Sequence, residues 1–486
     1  MRLIIENHLI TKIRVQTAFT ICFFLTSCMV GPDYVRPSAP VQTKYKEAPK
    51  GWKIATPQDH VHRGEWWKVF NDPQLNALED QLGKLNQSIK VAEAQYREAQ
   101  TLVDLARASY FPTVTGAATL MRQKQVSVNS PGFAGTVTSK PTTTHALLLN
   151  AAWAPDVWGT VRRTVEANQA GADASAAQLA SVRLLSQASL AQYYFELRTL
   201  DNAQNLLDRT VRSYEQTLTL TKNRYASGVA GLADVVQAQS QLQSAQALAI
   251  NNKINRAQYE HAIAVLTGQV PATFSFTPQP QTLKPPAIPL QVPSSLLERR
   301  PDIAQAERTM AQANAQIGVA ISAYFPTLTL TGAGSLPNKN LGPWFALPLL
   351  NWSIGAQLAE TLFDGGARSA TTAGARATYD ASVATYRQTV LAAFQNVEDN
   401  LAALRILQEQ AVVQNQAAAS ARLALKLVLN QYKAGTVAYS NVITAQIAAF
   451  TAEKAASDVA GLRMTAAVGL IQALGGGWHH ASYPAP

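Results

Sequence analysis

The chain has 486 residues, 47% of them hydrophobic and 15% charged, with a formal net charge of +10. The charged fraction is well below the about one quarter of an ordinary soluble domain; Ala, Gln, Ser and Thr fill the gap, which suits surfaces packed against like surfaces. The basic residues form no Lys/Arg run interleaved with aromatics, so the charge does not point to nucleic acid.

The first segment reads as a signal peptide over residues 1–27. Arg14 precedes an apolar stretch, 15–25, that is too short to span a bilayer and right for a secretory core. Leu25-Thr26-Ser27-Cys28 then has the form of a lipobox, with small residues just before a cysteine. Cleavage before Cys28 would leave its thiol as the lipid attachment point and discard Cys22, so no disulfide is available to the mature chain. Met29 is not the aspartate that retains such lipoproteins at the inner membrane, which favours the outer membrane. Residues 28–65 read as a lipidated, extended tether.

Asp72-Pro73 has the form of a cap followed by proline in the first helical turn, and helical sequence is expected from Pro73 to about Ser109, where Tyr110-Phe111-Pro112 stops it. The period then changes. Leu328, Leu330, Gly332, Gly334 and Leu336 alternate with Thr327, Thr329, Thr331, Ala333 and Ser335; Trp352, Ile354, Ala356, Leu358 and Leu362 alternate with Asn351, Ser353, Gln357 and Thr361, with Glu360 the one misfit. Period two over about ten residues predicts strands of transmembrane length, at 327–336 and 351–362, with first-half equivalents at about 113–126 and 142–155. In the latter Leu147, Leu149, Ala151 and Trp153 share the apolar face. A half-buried soluble hairpin would alternate as well, but it has no need of aromatics at the segment ends, where Tyr110, Phe111, Trp153, Trp158, Tyr324, Phe325, Trp344, Phe345 and Trp352 gather.

Residues 160–226 and 367–434 contain no proline and read as helices ~100 Å long. In the second, Val390, Phe394, Val397, Leu401 and Leu404 alternate spacings of four and three, a coiled-coil seam. Each helix ends at Asn-x-Tyr-x-x-Gly, with Gly228 and Gly435 placed as left-handed C-terminal glycines, and return helices follow at about 232–267 and 439–473. Residues 270–293 carry seven prolines and read as an extended crossover, and 474–486 as a loose tail.

These elements occur twice. Asn223, Tyr225, Gly228, Val235, Ala238 and Gln239 reappear 207 residues later, and Tyr110-Phe111-Pro112-Thr113 reappears 214 residues later as Tyr324-Phe325-Pro326-Thr327. The repeats span 66–269 and 294–473; from Pro112 to Gly159 the first is seven residues longer than the second is from Pro326 to Gly366, an excess expected in the Gly/Ser/Thr/Pro-rich stretch 127–140 between its strands. The fold class is thus an α+β membrane protein. Four strands close no barrel and open edges are not tolerated in lipid, so further strands must come from other chains. Twelve strands from three protomers is the smallest unplugged closure, although other multiples stay open.

The lipobox, Gly31-Pro32-Asp33-Tyr34, Trp66-Trp67 with Phe70 and Asp72-Pro73, Arg299-Arg300-Pro301-Asp302-Ile303, the two Tyr-Phe-Pro turns, Phe363-Asp364-Gly365-Gly366 and the two Tyr-x-x-Gly tips cover the mature chain nearly end to end. In their order and spacing the chain resembles the outer-membrane factor family, the TolC-type ducts of Gram-negative efflux systems, in its lipoprotein branch. The resemblance implies a homotrimer with a 12-stranded transmembrane β-barrel, four strands per chain, continuous with a long α-helical coiled-coil periplasmic barrel. It also implies partners: a periplasmic adaptor (membrane fusion) protein, an inner-membrane RND-type pump and outer-membrane lipid.

In the family the helix-hairpin tips meet the adaptor. That makes Arg224, Tyr225, Ser227, Gly228 and Val229, with Ala434, Gly435, Thr436 and Val437, the expected contacts. The duct closes at the tip of the inner, second-half helix pair, which assigns gate roles to Tyr432, Lys433, Asn441 and Thr444. Family members often carry an aspartate where this chain has Thr444, so closure is expected from Tyr432 packing and neutral hydrogen bonds rather than a ring of carboxylates. His60, His62, His479 and His480 read as solvated residues; no metal site, cofactor or catalytic residue is expected, and no phosphate loop follows a strand. The expected function is the outer-membrane channel of a tripartite efflux system; the alternatives are the same part of a type I protein-secretion machine, which differs only in its pump, and a structural coiled-coil lipoprotein, which has no use for the strands.

Overall fold

Residues 29–39, 45–47, 63–124, 127–128, 137–138, 141–286, 300–338 and 350–476 are described by the structure, a computed structural model. Cys28, Trp344, Phe345 and most of the expected tail lie outside the described residues.

Asp72 starts the first α-helix, α1 (Pro73–Leu85): its carboxylate accepts the amides of Gln74 and Leu75 at 2.9 and 3.2 Å, and Pro73 sits where the missing N–H costs nothing. A single helix to residue 109 was expected. The chain instead breaks at Asn86, and α2 (Gln87–Ala108) follows. The Asn86 side chain accepts from the Ile89 amide at 3.0 Å and donates to the Leu266 carbonyl at 2.8 Å. A short amide that serves orphan backbone groups in this way competes with helix continuation.

After the Tyr-Phe-Pro turn come β1 (Thr113–Lys124), β2 (Ser127–Val128), β3 (Val137–Thr138) and β4 (Pro141–Trp153), then α3 (Thr160–Ala226) and α4 (Leu232–Leu266). The second repeat supplies α5 (Pro301–Ser322), β5 (Thr327–Asn338), β6 (Asn351–Ala359), α6 (Ala367–Lys433) and α7 (Tyr439–Ala473). Both long helices have 67 residues and both return helices 35, so the duplication survives in the backbone. Two strand ends fall short of expectation for visible reasons. Pro155, which has no amide for a ladder, follows the end of β4 at Trp153, and β6 stops at Ala359, leaving the charged misfit Glu360 outside the sheet.

The sheet is antiparallel throughout in the order β1-β4-β5-β6. Lys124 faces Pro141 and Ser127 faces Thr138, so β2 and β3 prolong the first hairpin in unchanged register.

Two compact units divide the chain. The strand unit takes the described residues up to Pro37, with Arg97–Asp173 and Glu307–Ala384. The helical unit takes Ser38–Tyr96, Ala174–Ala306 and Thr385–Pro486. Its main core joins Leu75, Leu82, Ile89, Leu190, Tyr194, Leu197, Ile263 and Val468, all buried. The expected seam of α6 is buried at Val390, Phe394, Val397 and Leu401.

The crossover lacks regular structure from 274 to 286 and is held by charged side chains of the same unit. Arg256 donates to the Phe276 carbonyl at 2.6 Å, Glu260 accepts the Phe276 amide at 2.6 Å, and Asp201 accepts the Gln279 amide at 3.0 Å. Arg198, buried over the Phe276 ring, pairs with Asp201 at 3.0 Å. A proline-rich segment with few amide donors is thus fixed through the carbonyls and amides it keeps.

Candidate functional site

Directly opposite residues of an antiparallel pair share a face, so the register carries each strand's alternation across the whole sheet. One face collects Val114, Leu120, Leu147, Leu149, Trp153, Leu328, Leu330, Leu336, Trp352, Ile354 and Leu358. The other collects Thr113, Thr115, Thr119, Thr142, Thr144, Asn150, Thr327, Thr329, Thr331, Ser335, Ser353 and Gln357, with Met121 and Leu148 as apolar exceptions. The apolar face is open in the single chain: Trp352, Ile354 and Leu120 are 71%, 82% and 70% exposed. Soluble monomers rarely expose so large a continuous patch. From Leu328 to Leu336 the band runs ~27 Å along the strand, or ~20 Å in height at a ~40° tilt, close to the apolar belt of a membrane barrel. No helix among the described residues is long and apolar enough to cross a membrane, which says nothing of strands.

Aromatic groups mark the end of the sheet that adjoins the helices. The Trp153 indole donates to the Tyr110 carbonyl at 3.0 Å; the Trp158 indole donates to the Pro326 carbonyl at 2.7 Å and its ring stacks on Phe325 at 5.0 Å. Half-apolar rings with one polar handle suit the level where lipid meets water.

The Gly-Pro-Asp-Tyr motif is clamped within the same unit. The Val30 amide donates to the Trp158 carbonyl at 3.1 Å, and the buried Arg163 donates to the Val30 and Gly31 carbonyls at 3.1 Å each and to Asp33 at 2.9 Å. Gly31 has φ +97°, and a Cβ there would lie 2.4 Å from Gly318 Cα, so glycine is required twice over. Met29 packs on Gly159, another positive-φ glycine. Tyr34 donates to Glu307 at 2.7 Å, and burial together with that carboxylate pushes its phenol well above the usual range. Met29, the residue after Cys28, is therefore fixed against Gly159 at the start of α3; Cys28 itself lies outside the described residues.

At both helix tips the sequence dictates the same turn. Gly228 (φ +75°) donates to the Tyr225 carbonyl and Val229 to that of Arg224; Gly435 (φ +80°) donates to Tyr432 and Thr436 to Gln431. These are paired Schellman closures, which only glycine enters without strain.

The expected gate and docking residues separate by burial. Tyr432 is 3% exposed: its ring meets Tyr439 at 5.6 Å and its hydroxyl lies 3.3 Å from that of Thr221. Arg224 lies over the Tyr432 ring at 4.7 Å and donates to the Tyr432 carbonyl at 2.8 Å, capping the end of α6. Val437 packs on the same cluster. Lys433, Asn441 and Thr444 are exposed, and the Thr444 hydroxyl is spent on the Ser440 carbonyl at 3.0 Å. Tyr225, Ser227, Val229, Ala434 and Thr436 are exposed at the turns.

The sequence did not single out Tyr214, Thr217, Thr221 or Tyr439, and it marked Gln446 only as the repeat of Gln239. Gln446 donates to Thr217 at 3.1 Å, a buried bond between the helix pairs, and Tyr439 is buried with its phenol pushed up to about 12 by desolvation, then by Tyr432. Only the repeat could have flagged Tyr439, whose counterpart is Leu232.

A four-stranded sheet with one lipid-suited and one hydroxyl-rich face, carried with paired 67-residue helices, defines the protomer of an outer-membrane channel. The chain belongs to the outer membrane efflux protein family, whose profile matches residues 78–269 and 292–476. It is 30% identical over 473 residues to outer membrane protein OprJ of Pseudomonas aeruginosa, with 95% of each chain covered. It is 29% identical over 472 residues to the toluene efflux pump outer membrane protein TtgC of Pseudomonas putida, with 96% of each covered. The solved outer-membrane channel OprN superposes with a TM-score of 0.84 at 28% identity, covering 92% of this chain and 99% of that one. The protein is an outer-membrane efflux channel.

Proposed function

We propose that three copies of this chain close a 12-stranded barrel whose apolar face meets lipid and whose Thr/Ser/Asn face lines a water-filled lumen. The long helices would form its periplasmic extension, and the duct would export small molecules handed over by a periplasmic adaptor and an RND-type inner-membrane pump. The observation that carries this reading is the sheet's division into two faces by register, together with β1 and β6 left as open edges that lipid does not tolerate. Within the four strands the hydroxyl-rich face holds no charged side chain, so this part of the lumen discriminates by size rather than by charge.

Cys28 is the proposed acyl anchor, supported by the clamp on residues 29–34, which would hold three acyl chains at the level of the aromatic groups beside the strands. Tyr432, with Arg224 across it, is the proposed latch, and Lys433, Asn441 and Thr444 the surface around it. Tyr225, Val229, Ala434 and Thr436 are the proposed adaptor contacts.

Planar-bilayer recording of purified protein tests the duct: stepwise openings from a trimer are expected, and a protein that neither trimerises nor conducts would overturn it. Metabolic labelling with a clickable fatty acid tests the anchor, with label on the wild type and none on Cys28→Ser; equal labelling of both would sink it.

A further inference from the structure

The four sheet strands contain no Asp or Glu, and their only permanent charges are Arg122 and Lys124, both exposed near the end of β1. This end lies away from the helices, which join the sheet at Thr113 and follow Trp153. Parity decides where the two side chains point. Arg122 and Lys124 share a face with Val114 and Leu120, and the register sets them opposite Thr143 and Pro141, with His145 one step below opposite Leu120. One position earlier or later the cations would project into the lumen and act on passing solutes. Instead they stand ~7 Å apart directly above the apolar band.

The second hairpin has Leu336 and Asn338 at the corresponding places, so the charge belongs to the first hairpin alone. A long cationic side chain at the edge of an apolar band keeps its stem on the apolar surface and its head at the headgroup level. There, with no carboxylate in the sheet to neutralise it, it attracts lipid phosphate.

We propose that Arg122 and Lys124, beside His145 and the Thr143 hydroxyl, form a cationic rim that binds the phosphate groups of the phosphorylated glycolipid in the outer leaflet, once per protomer. The proposal rests on the membrane-barrel reading above. Two cations on one strand face fit a headgroup carrying more than one phosphate better than a single-phosphate lipid.

Native mass spectrometry of the full-length protein in detergent, titrated with diphosphoryl lipid A, tests it against Arg122→Gln with Lys124→Gln. The double variant is expected to bind about thirtyfold more weakly, and phosphatidylglycerol at equal concentration is not expected to compete. A second variant, Arg122→Gln with Gln123→Arg and Lys124→Gln, returns one charge to the opposite face and should recover no affinity. Unchanged lipid A binding in the double variant, recovery in the second variant, or equal competition by phosphatidylglycerol would overturn the proposal. Conductance of the wild type and both variants in planar bilayers separates the two readings: conducting variants with lost lipid A binding support the rim, whereas a wild type that does not conduct overturns the barrel and the rim with it.

Discussion

The two helix tips descend from one sequence and have been put to opposite uses. Both close through the same glycine turn, 207 residues apart, yet Tyr432 is 3% exposed where its counterpart Tyr225 is 47% exposed, and Tyr439 is 2% exposed where Leu232 is 57% exposed. Arg224 is the pivot: it reaches out of its own tip to cap and cover the other, and the second repeat offers Gln431 in its place, which cannot stack or pair in the same way. A duplicated turn therefore specifies its own backbone but not its partner. One copy became core, and the other kept apolar groups at the surface.

If the exposed turn residues of the two tips are the adaptor contacts, bulk there should hurt most. Val229→Trp and Thr436→Trp are expected to abolish efflux in a drug-susceptibility assay while trimers remain on native gels; unimpaired efflux in both removes these turns from docking. The buried copy is tested next. Tyr432→Ala removes an aromatic side chain from a packed cluster, a change that costs ~3 kcal/mol or more. Combined with Lys433→Ala it should raise single-channel conductance severalfold, whereas Tyr225→Ala should leave conductance unchanged. Equal effects from the two tyrosines would erase the asymmetry. Arg224→Gln imports the second repeat's residue and deletes the cap and the ring contact, for about 1–2 kcal/mol; a smaller rise in conductance than with Tyr432→Ala is expected, and none at all would leave Arg224 without a part in closure.

A smaller effect provides a control away from the tips. Glu79 is buried in the helical unit with no hydrogen-bond partner for either oxygen among the described residues, and burial, then Asp80, pushes its carboxyl up to about 9. The folded state holds this proton through a pH range in which the unfolded chain has released it. Its stabilising contribution is therefore complete below about pH 4 and lost as pH rises toward 9. Glu79→Gln should unfold at a higher temperature than wild type at pH 8, with the gap narrowing toward pH 5; parallel melting curves across that range would contradict a buried, protonated Glu79.

Much of this molecule was legible in its residues because the features concerned are local. Period two in Thr327–Leu336, proline-free runs of helical length and glycines at 228 and 435 each depend on neighbours a few residues away, the offset of 207 only repeats such local signals, and the backbone follows them. The Gly-Pro-Asp-Tyr motif could be recognised but not explained, since its reason is Gly318 and Arg163, more than a hundred residues off. The break at Asn86 was missed because one asparagine within a helical pattern looks like a surface residue until its partner, the Leu266 carbonyl, is known.

What the sequence by itself determined, then, is the alternation of faces, the lengths of the helices, the turns at their tips and the family to which the chain belongs. The first three follow from backbone sterics and side-chain period, which act over one or two turns; the family rests on the order and spacing of the motifs along the chain. What only the tertiary structure decided is which copy of a repeated residue is buried. Tyr225 and Tyr432 occupy the same place in the same motif, and their fates differ because Arg224, Thr221 and Tyr439 converge on one of them. Burial depends on contacts between segments far apart in the chain, and a pattern read along one segment carries no information about them.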